Sequence, residues 1–369
     1  MSLKVKNIIE YMESIAPSSY AMEWDRVGLQ VGSPKKTVQR IMITLEVNLG
    51  VLKEAADKGV DLIISHHPLI FKPLEKIDFE NSKGAMIQKM IQEDLHLYIS
   101  HTNMDAAPEG LNHYIAEKIG LNNIATLSSF ESKPYCKFIV YVPETYKDEI
   151  IEAIHQGGGG YIGNYSHCTF GTQGIGTFKP KEGASPFLGK ENELEKVKET
   201  KIETIVQRKD FPNLLEIVKK AHPYEEVAYD LYPMEIPMEN VGLGRIGDLS
   251  DGVKVKSFIQ HLKKTLQLNE VRYVGDLQHE VSRIAILNGS GGDFIKTAKN
   301  AGAECFVTGD LKYHEAQDAM DAGMTIIDIG HYESEIIFRE LIKSKLQTHF
   351  GQGLEIFLAE SLKNPFHTL

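Results

Sequence analysis

The chain has 369 residues, enough for two or three domains with cores of their own. Hydrophobic residues at 42% and charged residues at 25% are ordinary globular values, and a formal net charge of -11 argues against nucleic acid as a partner, since tracking phosphates needs clustered Lys and Arg. Cys136, Cys168 and Cys305 are isolated and odd in number, which argues against a disulfide framework or a thiolate zinc site and for a reducing cytoplasm.

The first ten residues look like an amphipathic helix rather than a signal peptide, and no stretch approaches the ~20 apolar residues of a membrane span. Strand patterns over 40–45, 62–65 and 97–100 alternate with helix patterns over 50–58 and 84–94, which implies parallel βα units and an α/β class. The middle differs. A strand over 135–142, a helix over 146–155 and a glycine break from Gly157 to Gly160 precede two strand-like stretches, 165–169 and 174–178. After a charged segment, 179–201, come a strand over 202–207, a helix over 211–220 and a strand over 227–231. This β-α-β-β-α-β order is that of a ferredoxin-like α+β unit, so residues 128–236 are expected to form an inserted domain whose exit Pro233 and Pro237 mark. Strands over 283–287, 305–308 and 325–329, with helices over 293–301, 313–322 and 334–345, then resume the earlier alternation. Residues 1–127 and 237–369 thus form two halves of one α/β body.

The first strand of interest ends in Ser65-His66-His67-Pro68. A buried strand ending in His-His delivers two imidazoles to the carboxyl edge of a sheet, where α/β proteins build their sites. Desolvating both is costly unless something uses their lone pairs, although a polar strand end feeding a loop is the plainer alternative. Asp105 follows the next strand within Ser100-His101-Thr102-Asn103-Met104-Asp105, as either a ligand or the cap of a following helix, a role Asn103 could also fill. His101 is a candidate ligand, ligand-supporting residue or proton shuttle. His331 and Glu335 are spaced i, i+4, so a helix starting near His331 sets their Cβ atoms about 5 to 6 Å apart on one face. Glu333 and Asp328 are their rivals. Asp310 and His314, also i, i+4, could orient ligands or move a proton, unless Asp310 is a helix cap. The Gly-rich loop Asn288 to Asp293 could face an anion, and Trp24 and Asp25 could wall or polarise a pocket.

Five motifs in one order resemble the Nif-three-like dinuclear metal-centre family, the GTP cyclohydrolase 1 type 2 homologues. They are Glu23-Trp24-Asp25-Arg26-Val27-Gly28-Leu29-Gln30-Val31-Gly32, Ser65-His66-His67-Pro68-Leu69, Ser100-His101-Thr102-Asn103-Met104-Asp105, Thr308-Gly309-Asp310-Leu311-Lys312-Tyr313-His314-Glu315 and Gly330-His331-Tyr332-Glu333-Ser334-Glu335. The middle resembles the family's optional insert, with His222-Pro223-Tyr224-Glu225-Glu226 as its signature. The resemblance implies that His66, His67, Asp105, His331 and Glu335 bind two divalent metals. It also implies a homo-hexameric ring and an insert similar to small PII-like or CutA-like trimeric proteins.

Five nitrogen and oxygen ligands suit two metals sharing a carboxylate and a bridging water, and two ions roughly 3.5 to 4 Å apart predict hydrolysis. Zinc is the expected metal, with iron and manganese as alternatives for His and carboxylate donors. The expected function is a metal-dependent hydrolase of a small nucleotide-like or heterocyclic molecule, with His101, Asp310 and His314 as catalytic candidates. The alternative is a metal-binding regulatory ring whose insert senses a small molecule through His222, Tyr224, Glu225 and Glu226.

Overall fold

A computed structural model of the protein describes residues 2–130, 135–235 and 240–367, so Pro237 lies outside the described residues. The chain divides into two compact units, one formed by Met1–Phe130 with Glu239–Leu369 and the other by Glu131–Met238. Among the described residues no helix is long and apolar enough to cross a membrane, and all three cysteines are free.

The strands in chain order are β1 (Gly28–Val31), β2 (Arg40–Thr44), β3 (Leu62–Ser65), β4 (His96–Ile99) and β5 (Asn122–Ser129). β6 (Tyr135–Pro143), β7 (Thr169–Phe178), β8 (Glu195–Gln207) and β9 (Tyr229–Pro233) belong to the second unit. β10 (Gly242–Lys254), β11 (Arg272–Val274), β12 (Glu280–Ser290), β13 (Cys305–Gly309), β14 (Thr325–Asp328) and β15 (Glu355–Leu358) return to the first.

The first unit holds two sheets, ordered β1-β4-β3-β2-β15 and β11-β14-β13-β12-β10-β5. In the first, β15, β2, β3 and β4 run parallel, and in the second so do β12, β13 and β14. Alternation along these strands divides their side chains between two covered faces, as a parallel sheet with helices on both sides requires. Ile41, Ile43, Leu62 and Ile64 of one sheet and Ile284, Ile286, Cys305, Val307 and Ile327 of the other enter a common core with Met12, Ile115, Phe258 and Phe338. Their neighbours Met42 and Ile63 turn outward onto Leu52 and Met90. Ala285, Phe306 and Ile326 do likewise onto Ala298 and Ala319. The halves also exchange edges: β15 from the end of the chain completes the first sheet, and β5 from the first half completes the second.

The second unit has an antiparallel sheet ordered β7-β8-β6-β9 with helices Lys147–Gln156 and Phe211–Ala221, the ferredoxin-like order anticipated above. One detail differs. The stretches 165–169 and 174–178 do not make two strands, because Tyr165 bridges Ile162 in a tight turn and Thr169–Phe178 is one strand. Gly171, Gly174 and Gly176 weaken its local signal, yet ten consecutive residue pairs with β8 hold it in register. The end of the charged segment belongs to β8, whose Lys196 and Lys198 are exposed while Thr200, Ile202, Thr204 and Val206 are buried.

Candidate metal centre

The carboxyl ends of parallel strands from both sheets supply the side chains. His66 and His67 leave β3, and His101 and Asp105 enter with the short helix Thr102–Ala106 after β4. His331 and Glu335 bound the helix His331–Glu335 after β14. Gly330 turns that strand into the helix at φ +87°, a backbone conformation that favours glycine. The structure brings together His66, His67, Asp105, His331, Glu335 and His101. One donor atom from each of His66, His67 and His101 lies within 4.8 Å of the others, and the same holds for His67, His331 and Glu335.

Glu335 is the centre of this arrangement. Its Oε2 lies 2.8 Å from His67 Nε2 and 3.0 Å from His331 Nε2. Its Oε1 lies 3.8 Å from His66 Nε2, which is 3.7 Å from Asp105 Oδ1. His66 donates from Nδ1 to the Ser100 carbonyl at 2.9 Å, because a carbonyl only accepts, and this leaves the lone pair on Nε2. That Nε2 is buried without a hydrogen-bond partner. A lone pair facing two carboxylates in a buried site calls for a cation between them, so the donor set fits a metal.

The other imidazoles are backed in the same way. His331 Nδ1 bonds Asp310 Oδ2 at 2.7 Å, His101 Nδ1 bonds Asp25 Oδ1 at 3.0 Å, and His67 Nδ1 faces Glu46 Oε2 at 3.8 Å. Each leaves Nε2 for the cluster. Burial alone would lower the His67 pKa, but hydrogen bonds and charge from Glu335 and Glu46 raise it to about 10. His331 is raised to about 9 by its hydrogen bond to Glu335, against burial, with help from Asp310. Burial pushes the Asp105 carboxyl up, Glu335 adding to it, whereas the three imidazoles hold Glu335 well below the usual range despite its own burial. Asp25 is held at about 2, burial being outweighed by His101 and Thr102.

Several alternatives left open by the sequence now close. Asp105 caps no helix: the following helix Leu111–Lys118 has Gly110 at its N-cap, and the Asp105 carboxylate accepts from Asn288 Nδ2 at 3.0 Å. Asn103 instead accepts from His101 N with its side-chain oxygen and donates to the Ala16 carbonyl. Asp310 is not a cap either, because the helix Tyr313–Asp321 starts beyond it at N-cap Lys312. With φ +55° at Asp310, the i, i+4 spacing to His314 no longer implies a shared helix face. His314 is exposed, its ring beside Tyr313 and outside both groups of candidate donors. Asp328 pairs with Arg272, and Glu333 accepts from Asn364, so neither rival faces the cluster. At the Gly-rich loop, a Cβ on Gly292 would meet the Glu315 carboxylate, which is itself paired with Lys312.

Asn112, Glu46 and Arg245, and the part Asn288 plays beside the carboxylates, carry no signal in the sequence. Asn288 Nδ2 donates to Asp105 Oδ1 and, at 3.1 Å, to Glu335 Oε1, and its own N–H is held by Asn112 Oδ1. Gly289 must follow it, since a Cβ there would lie 2.5 Å from Glu335 Oε1. The buried Arg245 guanidinium donates to the carbonyls of Ala107 and Pro108, fixing the chain just after Asp105. An arginine in a strand carries no sequence signal for such a carbonyl clamp.

Comparison with known proteins gives a consistent picture over the whole chain. It is similar to the GTP cyclohydrolase 1 type 2 homolog of Bacillus subtilis (strain 168), with 41% identity over 368 residues, covering 99% of this chain and 98% of that protein. Among solved structures it is similar to a Bacillus cereus protein related to NIF3, with 38% identity, a TM-score of 0.75 and full coverage of both chains. Staphylococcus aureus protein SA1388 superposes with a TM-score of 0.80 at 29% identity, covering 100% of this chain and 99% of that one. The family model of Duf34/NIF3 (NGG1p interacting factor 3) matches residues 3–365. With its two mixed sheets and a cluster able to hold a metal ion, the chain belongs to the Duf34/NIF3 family.

Proposed function

We propose that the protein is a metal-dependent hydrolase of a small nucleotide-like or heterocyclic substrate. The observation that carries this reading is the division of labour at Glu335: Oε2 faces His67 and His331, while Oε1 faces His66 and the Asp105 side. One carboxylate between two sets of donors is suited to two divalent ions, zinc, iron or manganese, held by His66, His67, Asp105, His331 and Glu335. Bound there, such ions supply Lewis acidity toward water and toward a substrate oxygen.

The chain's own residues supply the rest. His101, oriented by the Asp25 carboxylate, keeps Nε2 available to take up or return a proton beside the cluster. Asp310 orients His331. His314, exposed beside Tyr313, has no part in this reading. The B. subtilis relative's name points to GTP as the first substrate to try. Metal-loaded protein should release formate from GTP or hydrolyse another heterocycle. His66→Ala and Glu335→Ala should abolish the turnover, and activity that survives both substitutions would refute the reading. The homo-hexamer belongs to the same proposal, and light scattering measures it.

A further inference from the structure

The chain's only tryptophan is half exposed, at 51%. Trp24 stands edge-on to the His101 ring, with centroids 6.1 Å apart, and 5.6 Å from the ring of Phe71, which is itself exposed. Phe71 lies in the segment that follows His66 and His67. The two rings therefore make an aromatic corner whose inner end touches an imidazole of the cluster.

Their backbones are anchored. Asp25 accepts from Thr102 N, its own N–H donates to the Met22 carbonyl, and Met22 N donates to Thr102 Oγ1. Gln30 ties the two segments together: its Nε2 donates to the carbonyls of Arg26 and Ile70, and its Oε1 accepts from Ile70 N. Exposed rings on a fixed backbone are preorganised to receive a flat partner at little conformational cost.

We infer that Trp24 and Phe71 form a stacking platform that selects substrates carrying a planar heteroaromatic ring and presents that ring to the cluster. The inference rests on the hydrolase reading for what happens next, but binding itself needs no turnover. As the sole tryptophan, Trp24 reports directly through its fluorescence. The full-length protein, with metal and with chelator, is titrated with GTP, with ATP and with ribose 5-phosphate. Saturable quenching by the purine nucleotides and not by ribose 5-phosphate is expected. In calorimetric titrations Trp24→Ala and Phe71→Ala should each weaken nucleotide binding about ten-fold or more, with Trp24→Phe restoring most of it.

Quenching by neither nucleotide, or unchanged affinity in both alanine variants, overturns the platform. The two readings fail separately. Quenching and variant effects without hydrolysis remove the enzyme and keep the platform, whereas hydrolysis of a substrate that Trp24→Ala binds and turns over normally removes the platform and keeps the enzyme.

Discussion

His67 Nε2 stands 2.8 Å from Glu335 Oε2, although 268 residues separate the two in the chain. The same oxygen receives His331, so this carboxylate joins the two halves of the body at one atom.

Glu335→Gln preserves the side chain's shape and removes its charge. Zinc affinity, read by calorimetric titration, should fall by more than the about 10- to 100-fold typical of losing a group that merely supports a ligand. Wild-type affinity in the variant would place the metal elsewhere.

Asn288 gives one amide nitrogen to two carboxylates that would otherwise repel each other. Asn288→Ala should destabilise the metal-free protein by about 1.5–3 kcal/mol, the range for hydrogen bonds to charged groups, and weaken zinc binding about 10-fold. Urea unfolding with chelator present measures the first effect. Stability equal to wild type would mean the shared amide contributes nothing.

Asp310→Asn and His314→Ala separate two residues that look alike in sequence. The first loosens the Nδ1 partner of His331 and should cost about 10-fold or more in metal affinity. The second should leave metal affinity and turnover at wild-type values, since His314 is exposed beside Tyr313. Equal losses in both variants would contradict this assignment.

Away from the cluster, Glu54 accepts hydrogen bonds from Glu360 N, Ser361 N, Ser361 Oγ and Lys58 Nζ, tying the segment after β15 to the helix Leu49–Asp57. Burial opposes ionisation, yet these donors bring its pKa from 4.5 to about 2. A depressed carboxylate stabilises the fold above its unfolded pKa and loses that contribution as pH falls through the folded one. Wild type should exceed Glu54→Gln by on the order of 2 kcal/mol at neutral pH. The gap should close between pH 4.5 and about 2. Thermal unfolding across that range tests it, and a gap that widens on acidification would show the sign to be wrong.

The strands that carry ligands were legible because each is a short apolar run stopped by a polar or glycine-bearing turn: Leu62 to Ser65 before His66, and Thr325 to Asp328 before Gly330. β5 carries no such signal because most of Asn122–Ser129 is exposed or half-buried, and only the tertiary partner β10 makes it a strand. Asp105 was ambiguous since a carboxylate after a strand caps helices as readily as it binds cations. Asn288 was illegible in principle, because its role exists only once Asp105 and Glu335 are neighbours.

The exchange of edge strands has a consequence in time. β15 is synthesised after every other strand yet borders β2, near the start of the chain. Contacts of such sequence separation fold slowly. On the ribosome His66, His67 and Asp105 emerge long before His331 and Glu335, so the nascent first half offers an incomplete and weaker donor set. The proposed donor set is therefore complete only when the chain is nearly finished, and a metal held there would require both halves to have found each other.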